Sequence, residues 1–232
     1  MSTSVTTVEQ LSEAIGAANS YIDDEHARSI VVALYKLLAQ GQPVSVAELA
    51  THAGVPEAVA LARLKAWPGV FWGGDRVVGF WGIAIPEMPI RFHAEGGKSV
   101  YAWCALDPFL IVPAIGLLAR VESKDPVTGE LVTMTVTPEG IKDLSPASAV
   151  VSFIAPDKPF TYDVIETFCN YVLNFTSRDS AERWAAEREN IIVLPTSDAF
   201  EVGRRALGIW WDRTAAANLQ RREPTTHSGP IC

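Results

Sequence analysis

The chain has 232 residues, 48% of them hydrophobic, and a net charge of −8 at neutral pH. That length allows one large domain or two small ones with an ample core. The acidic balance argues against a general nucleic-acid binder, whose affinity rests on basic residues neutralising phosphates, and against adhesion to an anionic membrane surface.

The opening residues Met1-Ser2-Thr3-Ser4-Val5 lack a basic region followed by an apolar run, so no signal peptide is expected. No apolar stretch is long enough to span a bilayer; the best, Leu110 to Ala119, is short and broken by Pro113. Residues 1–20 are polar and small, with a weak helical pattern around Val8 to Ala18, and read as a loosely held, flexible arm. From Ile22 to Leu38, Ile30, Val31, Leu34, Leu37 and Leu38 recur at helical spacing, and Gly41 and Pro43 end that helix. Ser45, with Glu48 three residues on, caps a short helix from Val46 to His52, and Glu57 to Ala66 is a third. Val70-Phe71-Trp72, the turn Gly73-Gly74-Asp75 and Arg76 to Ile85 read as a hairpin. Three helices and a hairpin over residues 21–88 make a winged helix-turn-helix pattern.

Pro86 and Pro89 mark a boundary, beyond which residues 89–220 read as a second domain of antiparallel strands and helices, an α+β chain as a whole. Ser99 to Trp103 is a short strand. Asp107-Pro108 opens a helix, with Asp107 as its N-cap. Arg120 to Glu122 and Val132 to Val136 flank the turn Asp125 to Gly129 and should pair. Thr137-Pro138-Glu139 starts a single helical turn, and Ala149 to Ile154 is a strand. Phe168 to Phe175, aromatic and β-favouring, leans to strand. Ser180 to Arg188 is helix, Ile191 to Leu194 a buried strand and Ser197 to Leu219 a long last helix. Residues 221–232 read as a flexible tail.

The chemistry concentrates on the cysteines. Only three are present, Cys104, Cys169 and Cys232, too few for a disulfide-stapled secreted domain. A reducing cytoplasm is the expected location, with Cys104 and Cys169 as thiols. Both lie in apolar, aromatic surroundings, and a soft metal ion favours a pair of thiolates. Cys104 sits between a strand and a helix start, where backbone N–H groups would lower its pKa; a buried small hydrophobe is the other reading. Asp107 is open to two roles, helix cap or proton donor beside the thiolates. Histidines 26, 52, 93 and 227 show no metal-ligand spacing, and no Cys-x-x-Cys, phosphate loop or nucleophile elbow is present.

Tyr101-Ala102-Trp103-Cys104-Ala105-Leu106-Asp107, followed by an apolar helix with Pro113, resembles the active-site segment of the organomercurial lyases (alkylmercury lyase, MerB). Phe168-Cys169 resembles that family's second cysteine site. Ala119-Arg120-Val121, Val136-Thr137-Pro138, Trp184 and the turn Gly41-Gln42-Pro43-Val44-Ser45 also fit, so the likeness spans most of residues 25–210. Some members carry a further cysteine after the second catalytic one, where this chain has Asn170.

The resemblance implies a helix-turn-helix-like N-terminal region and a catalytic domain over 89–220. It implies protonolysis of a carbon–mercury bond by Cys104, Asp107 and Cys169, with Cys104 and Cys169 holding the mercury of substrate and product. Tyr101, Trp103 and Phe168 flank the motifs and are candidate contacts for the organic group. No cofactor is implied. Small thiols would release the Hg²⁺, and a mercuric reductase would accept it. Two other functions fit the residues. One is a protein that sequesters or senses a soft metal without cleaving anything. The other is a winged-helix regulator reading DNA through residues 45–66, which offers only Arg63 and Lys65 as basic contacts. Cys232 is either an incidental exposed thiol or a mobile acceptor of Hg²⁺.

Overall fold

The chain starts in a helix, α1 (Ser2–Ala18), where the sequence suggests a flexible arm. Val8, Leu11, Ile15 and Ala18 recur at spacings of three and four, form one stripe and are buried. The stripe is short and set among small polar residues, which leaves only a weak helical pattern in the sequence. Its partner is the last helix of the chain, at the other end of the sequence. The computed structural model describes residues 2–222, with side chains from 7 to 217. Of the suggested tail, Arg221 and Arg222 continue the last helix, and residues 223–232, Cys232 among them, lie outside the described residues.

Helix α2 (Glu25–Leu38) is capped by Asp24, whose carboxylate accepts from the Ala27 N–H at 2.8 Å. It buries Ile30, Val31, Leu34, Tyr35 and Leu38 on one face. Helix α3 (Val46–Ala53) starts at the Ser45 cap and ends at the left-handed Gly54, and α4 (Glu57–Ala66) follows. Arg63 on α4 is tied to Asp23 and Asp24 at 2.8 and 2.7 Å, so one of the two bases a DNA-reading unit would offer is already committed.

Strands β1 (Val70–Gly73) and β2 (Arg76–Phe80) form the expected hairpin, but the chain breaks at Trp81-Gly82 before β3 (Ile83–Ala84). The hairpin does not stand apart as a wing. Strand β3 pairs with both β2 and β5 (Ser99–Ala102), and so carries the hairpin into an eight-stranded antiparallel sheet. The other members are β4 (Ile90–Ala94), β6 (Ala119–Lys124), β7 (Leu131–Thr137) and β8 (Gly140–Ser145), in the order β1-β2-β3-β5-β4-β6-β7-β8. Helix α5 (Asp107–Ile115) connects β5 to β6. The sheet crosses the prolines read as a boundary, and one apolar core runs from Val8 to Trp210.

At 137–139 there is a tight β7–β8 turn and no helical turn. Thr137 Oγ1 accepts from the N–H groups of Glu139 and Gly140 at 3.3 and 3.2 Å, which satisfies the turn without a helix. Beyond it, β9 (Val150–Ile154), β10 (Asn174–Phe175) and β11 (Ile191–Pro195) make a second antiparallel sheet with β9 in the centre. Helices α6 (Val164–Thr167) and α7 (Arg178–Ala185) flank β10, and α8 (Thr196–Arg222) closes the chain.

The buried Asp125, in the β6–β7 turn, joins the two sheets. Its carboxylate accepts from Thr176 N–H and Oγ1 at 2.8 and 2.9 Å and from Ser180 Oγ at 2.9 Å. Gly203 lets α8 lie against α5: a Cβ there would sit 2.7 Å from Phe109 Cβ and 3.0 Å from its backbone. With α1 packed on α8, and Phe160 N–H donating to Ala18 O at 2.9 Å, the helices α1, α5 and α8 and the segment 160–172 meet around one point.

Candidate active site

That point is a small buried cavity of about 30 Å³. Strand β5 ends at Ala102, and the chain turns through Trp103-Cys104-Ala105-Leu106 into α5. In that turn Trp103 N–H donates to Gly82 O at 3.2 Å, and Ala105 N–H donates to Val172 O at 2.9 Å. Val172 closes a 3-10 turn, Cys169–Tyr171, with its N–H bonded to Cys169 O at 3.0 Å. The Ala105–Val172 bond therefore clamps the two cysteine segments side by side. Phe168 to Phe175, read as a strand, is this 3-10 turn plus the two-residue β10. The tight turn aims the Cys169 side chain inward, which an alternating strand through the same aromatics would not do for all of them.

Both thiols are free and buried, 1% exposed at Cys104 and 4% at Cys169. The Cys104 thiol is close enough to both the Cys169 sulfur and the Asp107 carboxyl for each to influence its ionisation. Burial raises the Cys104 pKa well above the ordinary value, reinforced by Cys169 and by the charge of Asp107. The backbone N–H contribution expected from the helix start is present, from Leu106, but burial outweighs it. At Cys169 the hydrogen bond from Cys104 favours the thiolate. Burial and the Asp107 charge together exceed it, and the net shift is upward.

Asp107 is the first residue of α5, with Leu106 in the cap position, and its carboxylate caps no helix N–H. It turns back instead, and Oδ2 accepts from Cys104 N–H at 2.6 Å. Burial pushes its pKa up to about 7, while the N–H and thiol of Cys104 and the N–H of Trp103 pull the other way. Its pocket depends on Gly82, whose φ is +97°. A Cβ at that position would lie 2.5 Å from Asp107 Cγ and 2.8 Å from Asp107 Cβ. The preceding residue, Trp81, also has positive φ, and its carbonyl accepts from the Tyr35 hydroxyl at 2.9 Å. Burial, with the nearby Asp107 charge, pushes Tyr35 ionisation far up, so it remains a donor.

Asp107, Cys169, Trp103 and Phe168 all line the cavity. Tyr101 does not. It sits in β5 between Ala84 and Arg91 and borders a surface depression with Glu87, Met88 and Pro89. Alternation along β5 sends it away from Cys104's surroundings. Trp103 stacks on Phe71 with ring centroids 4.8 Å apart. The walls also include Ile15 and Asn19 around the end of α1, Trp81 and Gly82, Phe160, and Trp210 of α8. No sequence signal singled these out, since each comes from a segment whose own pattern reads as helix, turn or loop. Phe160 and Phe168, centroids 5.0 Å apart, also border an open depression of about 530 Å³ and stand between it and the cavity.

The chain is similar to known proteins over most of its length. The family profile MerB, alkylmercury lyase, matches residues 84–208. An alkylmercury lyase of Staphylococcus epidermidis is 37% identical over 186 residues, covering 80% of this chain and 84% of the relative. The alkylmercury lyase of Bacillus cereus is 35% identical, covering 80% and 83%, and that of Pseudomonas putida 31% identical, covering 84% and 89%. The crystal structure of the mercury-bound form of MerB2 superposes with a TM-score of 0.66 at 19% identity, covering 88% of this chain and 99% of that one, which shows a shared fold.

Proposed function

The chain belongs to the alkylmercury lyase family, enzymes that cleave the carbon–mercury bond, and from that premise we propose that it cleaves R–Hg⁺ by protonolysis at Cys104, Cys169 and Asp107. The observation that carries this reading is the backbone clamp that sets the Cys104 and Cys169 segments side by side, with the buried Asp107 carboxyl bonded to the Cys104 N–H.

R–Hg⁺ is a soft electrophile, and sulfur is its natural ligand. Cys169 lines the cavity and meets the mercury first; its proton leaves with the ligand that R–Hg⁺ brings in. Cys104 then adds to the mercury, and its proton passes to the Asp107 carboxylate beside it. A second thiolate raises the electron density on mercury and weakens the Hg–C bond. The carbon leaves with carbanion character and takes the proton from Asp107. A carboxyl with a pKa near 7 suits both halves of that relay, since it can accept and donate at the same pH. The balance is R–Hg⁺ plus two thiols giving R–H, mercury bound by two thiolates, and one H⁺. Mercury is thus substrate and product. External small thiols exchange with Cys104 and Cys169 to release it, because thiol-for-thiol exchange is nearly isoenergetic. A mercuric reductase in the same reducing compartment is the natural acceptor.

Trp103 and Phe168 pack the organic group in this reading, with Trp210 and Phe160 opposite. A protein that only sequesters mercury has no use for a carboxyl held against one of its thiols. Multiple-turnover incubation with phenylmercury and excess thiol tests the proposal: benzene should accumulate beyond one equivalent per chain. Stable binding of phenylmercury with no benzene would reduce the protein to a binder.

A further inference from the structure

Asn19 follows the last turn of α1 and lines the cavity. It is 1% exposed, and its backbone is committed: the N–H donates to Ile15 O, and the carbonyl accepts from Arg213 at 2.6 Å. The side-chain amide, however, has no partner at either Oδ1 or Nδ2. Trp103 Nε1, on the same cavity wall, is also buried without a partner. Buried polar groups are nearly always paired, so these two need an explanation. Crowding of the wall does not supply it, because Trp210 in the same wall does bond its indole N–H, to Gly16 O at 3.2 Å.

Resting on the lyase reading of this site, we infer that Asn19 and the Trp103 indole N–H form a polar subsite for a neutral hydroxyl on the organic group of the substrate. The two residues offer donors at Nδ2 and Nε1 and an acceptor at Oδ1. A hydroxyl both donates and accepts, so it satisfies both kinds of atom. A carboxylate only accepts. It would leave Oδ1 facing an anion and add negative charge beside Asp107 and the thiolates. An ammonium only donates, and would meet Nδ2 and Nε1 unfavourably. The cavity's 30 Å³ is room for about one water-sized group, which matches a hydroxyl placed at the amide. The rest of the organic group occupies space opened by displacement of the aromatic wall. Asn19 is thereby a specificity-determining residue, selecting hydroxyl-bearing organomercurials over plain aryl or alkyl ones.

The test compares kcat/KM for phenylmercury, the three hydroxyphenylmercury isomers and 4-carboxyphenylmercury. It uses the full chain as wild type, Asn19→Leu and Asn19→Ser. At least one hydroxyl isomer should exceed phenylmercury by about tenfold in the wild type, the worth of one buried hydrogen bond. That ratio should collapse in Asn19→Leu, through KM, and be partly kept in Asn19→Ser, which retains a hydroxyl. Asn19→Leu should melt no lower than the wild type, since it removes an unpaired buried amide; should it fail to fold, the ratio in Asn19→Ser decides. A hydroxyl-to-hydrogen ratio unchanged by both substitutions, or a preference for the carboxylate, would overturn the inference while leaving the lyase reading intact. A wild type that cleaves none of the five would remove the lyase reading and this inference with it.

Discussion

The cavity has two unlike halves. On one side, Trp103 to Asp107 lie in the turn from β5 into α5, and four of the wall or candidate reactive groups come from these five consecutive residues. On the other, Ile15, Asn19, Phe160 and Trp210 come from α1, a loop and α8, which meet only in the folded chain. The first half is held by the Cys104–Asp107 bonds within the turn, by backbone bonds to Gly82 and Val172 and by the space that Gly82 leaves; the second by helix packing and the Arg213 bonds to the end of α1. Reactive groups need fixed mutual geometry within a hydrogen bond's tolerance, and a tight turn supplies it cheaply. A wall that must pack an organic group needs apolar area, which Ile15, Phe160 and Trp210 supply.

The largest effects should come from the reactive half. Cys104→Ser or Cys169→Ser should each abolish turnover, because a hydroxyl is a hard, poorly ionised replacement for a soft thiolate. Rates of benzene release from phenylmercury check this. Gly82→Ala should come next. Its Cβ would intrude on Asp107, and its φ of +97° disfavours any side chain. A stability loss of roughly 2–4 kcal/mol is expected in urea titration, with activity near background.

Asp107→Asn should act through pH. A carboxyl whose folded pKa is raised to about 7 adds stability that is full below its unfolded value of about 3.9 and is lost as pH rises through 7. The Asp107 contribution to wild-type stability should therefore decline between about pH 4 and 7, by a few kcal/mol. Asp107→Asn should flatten that decline and be the more stable protein at pH 8, while losing turnover. Equal slopes in the two melting profiles would mean that Asp107 is not buried as a neutral acid.

The smallest effect should come from the packed half. Arg213 donates to Asn19 O and Gly16 O at 2.6 and 2.8 Å, closing the end of α1. Arg213→Met should cost about 1–2 kcal/mol and loosen α1 in hydrogen exchange. It should raise KM several-fold while sparing the single-turnover cleavage rate. A loss confined to that rate would place α1 in the chemistry.

The same division governs what the sequence makes legible. The Trp103 to Asp107 run, the caps at Ser45 and the β6–β7 hairpin are local patterns, and the structure repeats them. The failures are tertiary. The apolar stripe of α1 is four residues in a polar setting, and only α8 gives it meaning. The strand read at Phe168 to Phe175 has the right composition, but its first half closes on itself as a 3-10 turn, with Tyr171 N–H bonded to Phe168 O and Val172 N–H to Cys169 O. Tyr101 belongs to the motif in sequence and to another surface in space. Asp107 reads as a cap because capping is local, whereas its partner is the N–H of Cys104 behind it.

The central claim is that two sulfurs hold the mercury while Asp107 delivers the proton. X-ray absorption at the mercury edge, after one equivalent of phenylmercury and no external thiol, tests it most directly. The wild type should release one benzene per chain and show mercury bound by two sulfurs. Asp107→Asn should bind phenylmercury with the Hg–C bond intact and release little benzene. One sulfur ligand in the wild-type product, or full benzene release from Asp107→Asn, would contradict the account.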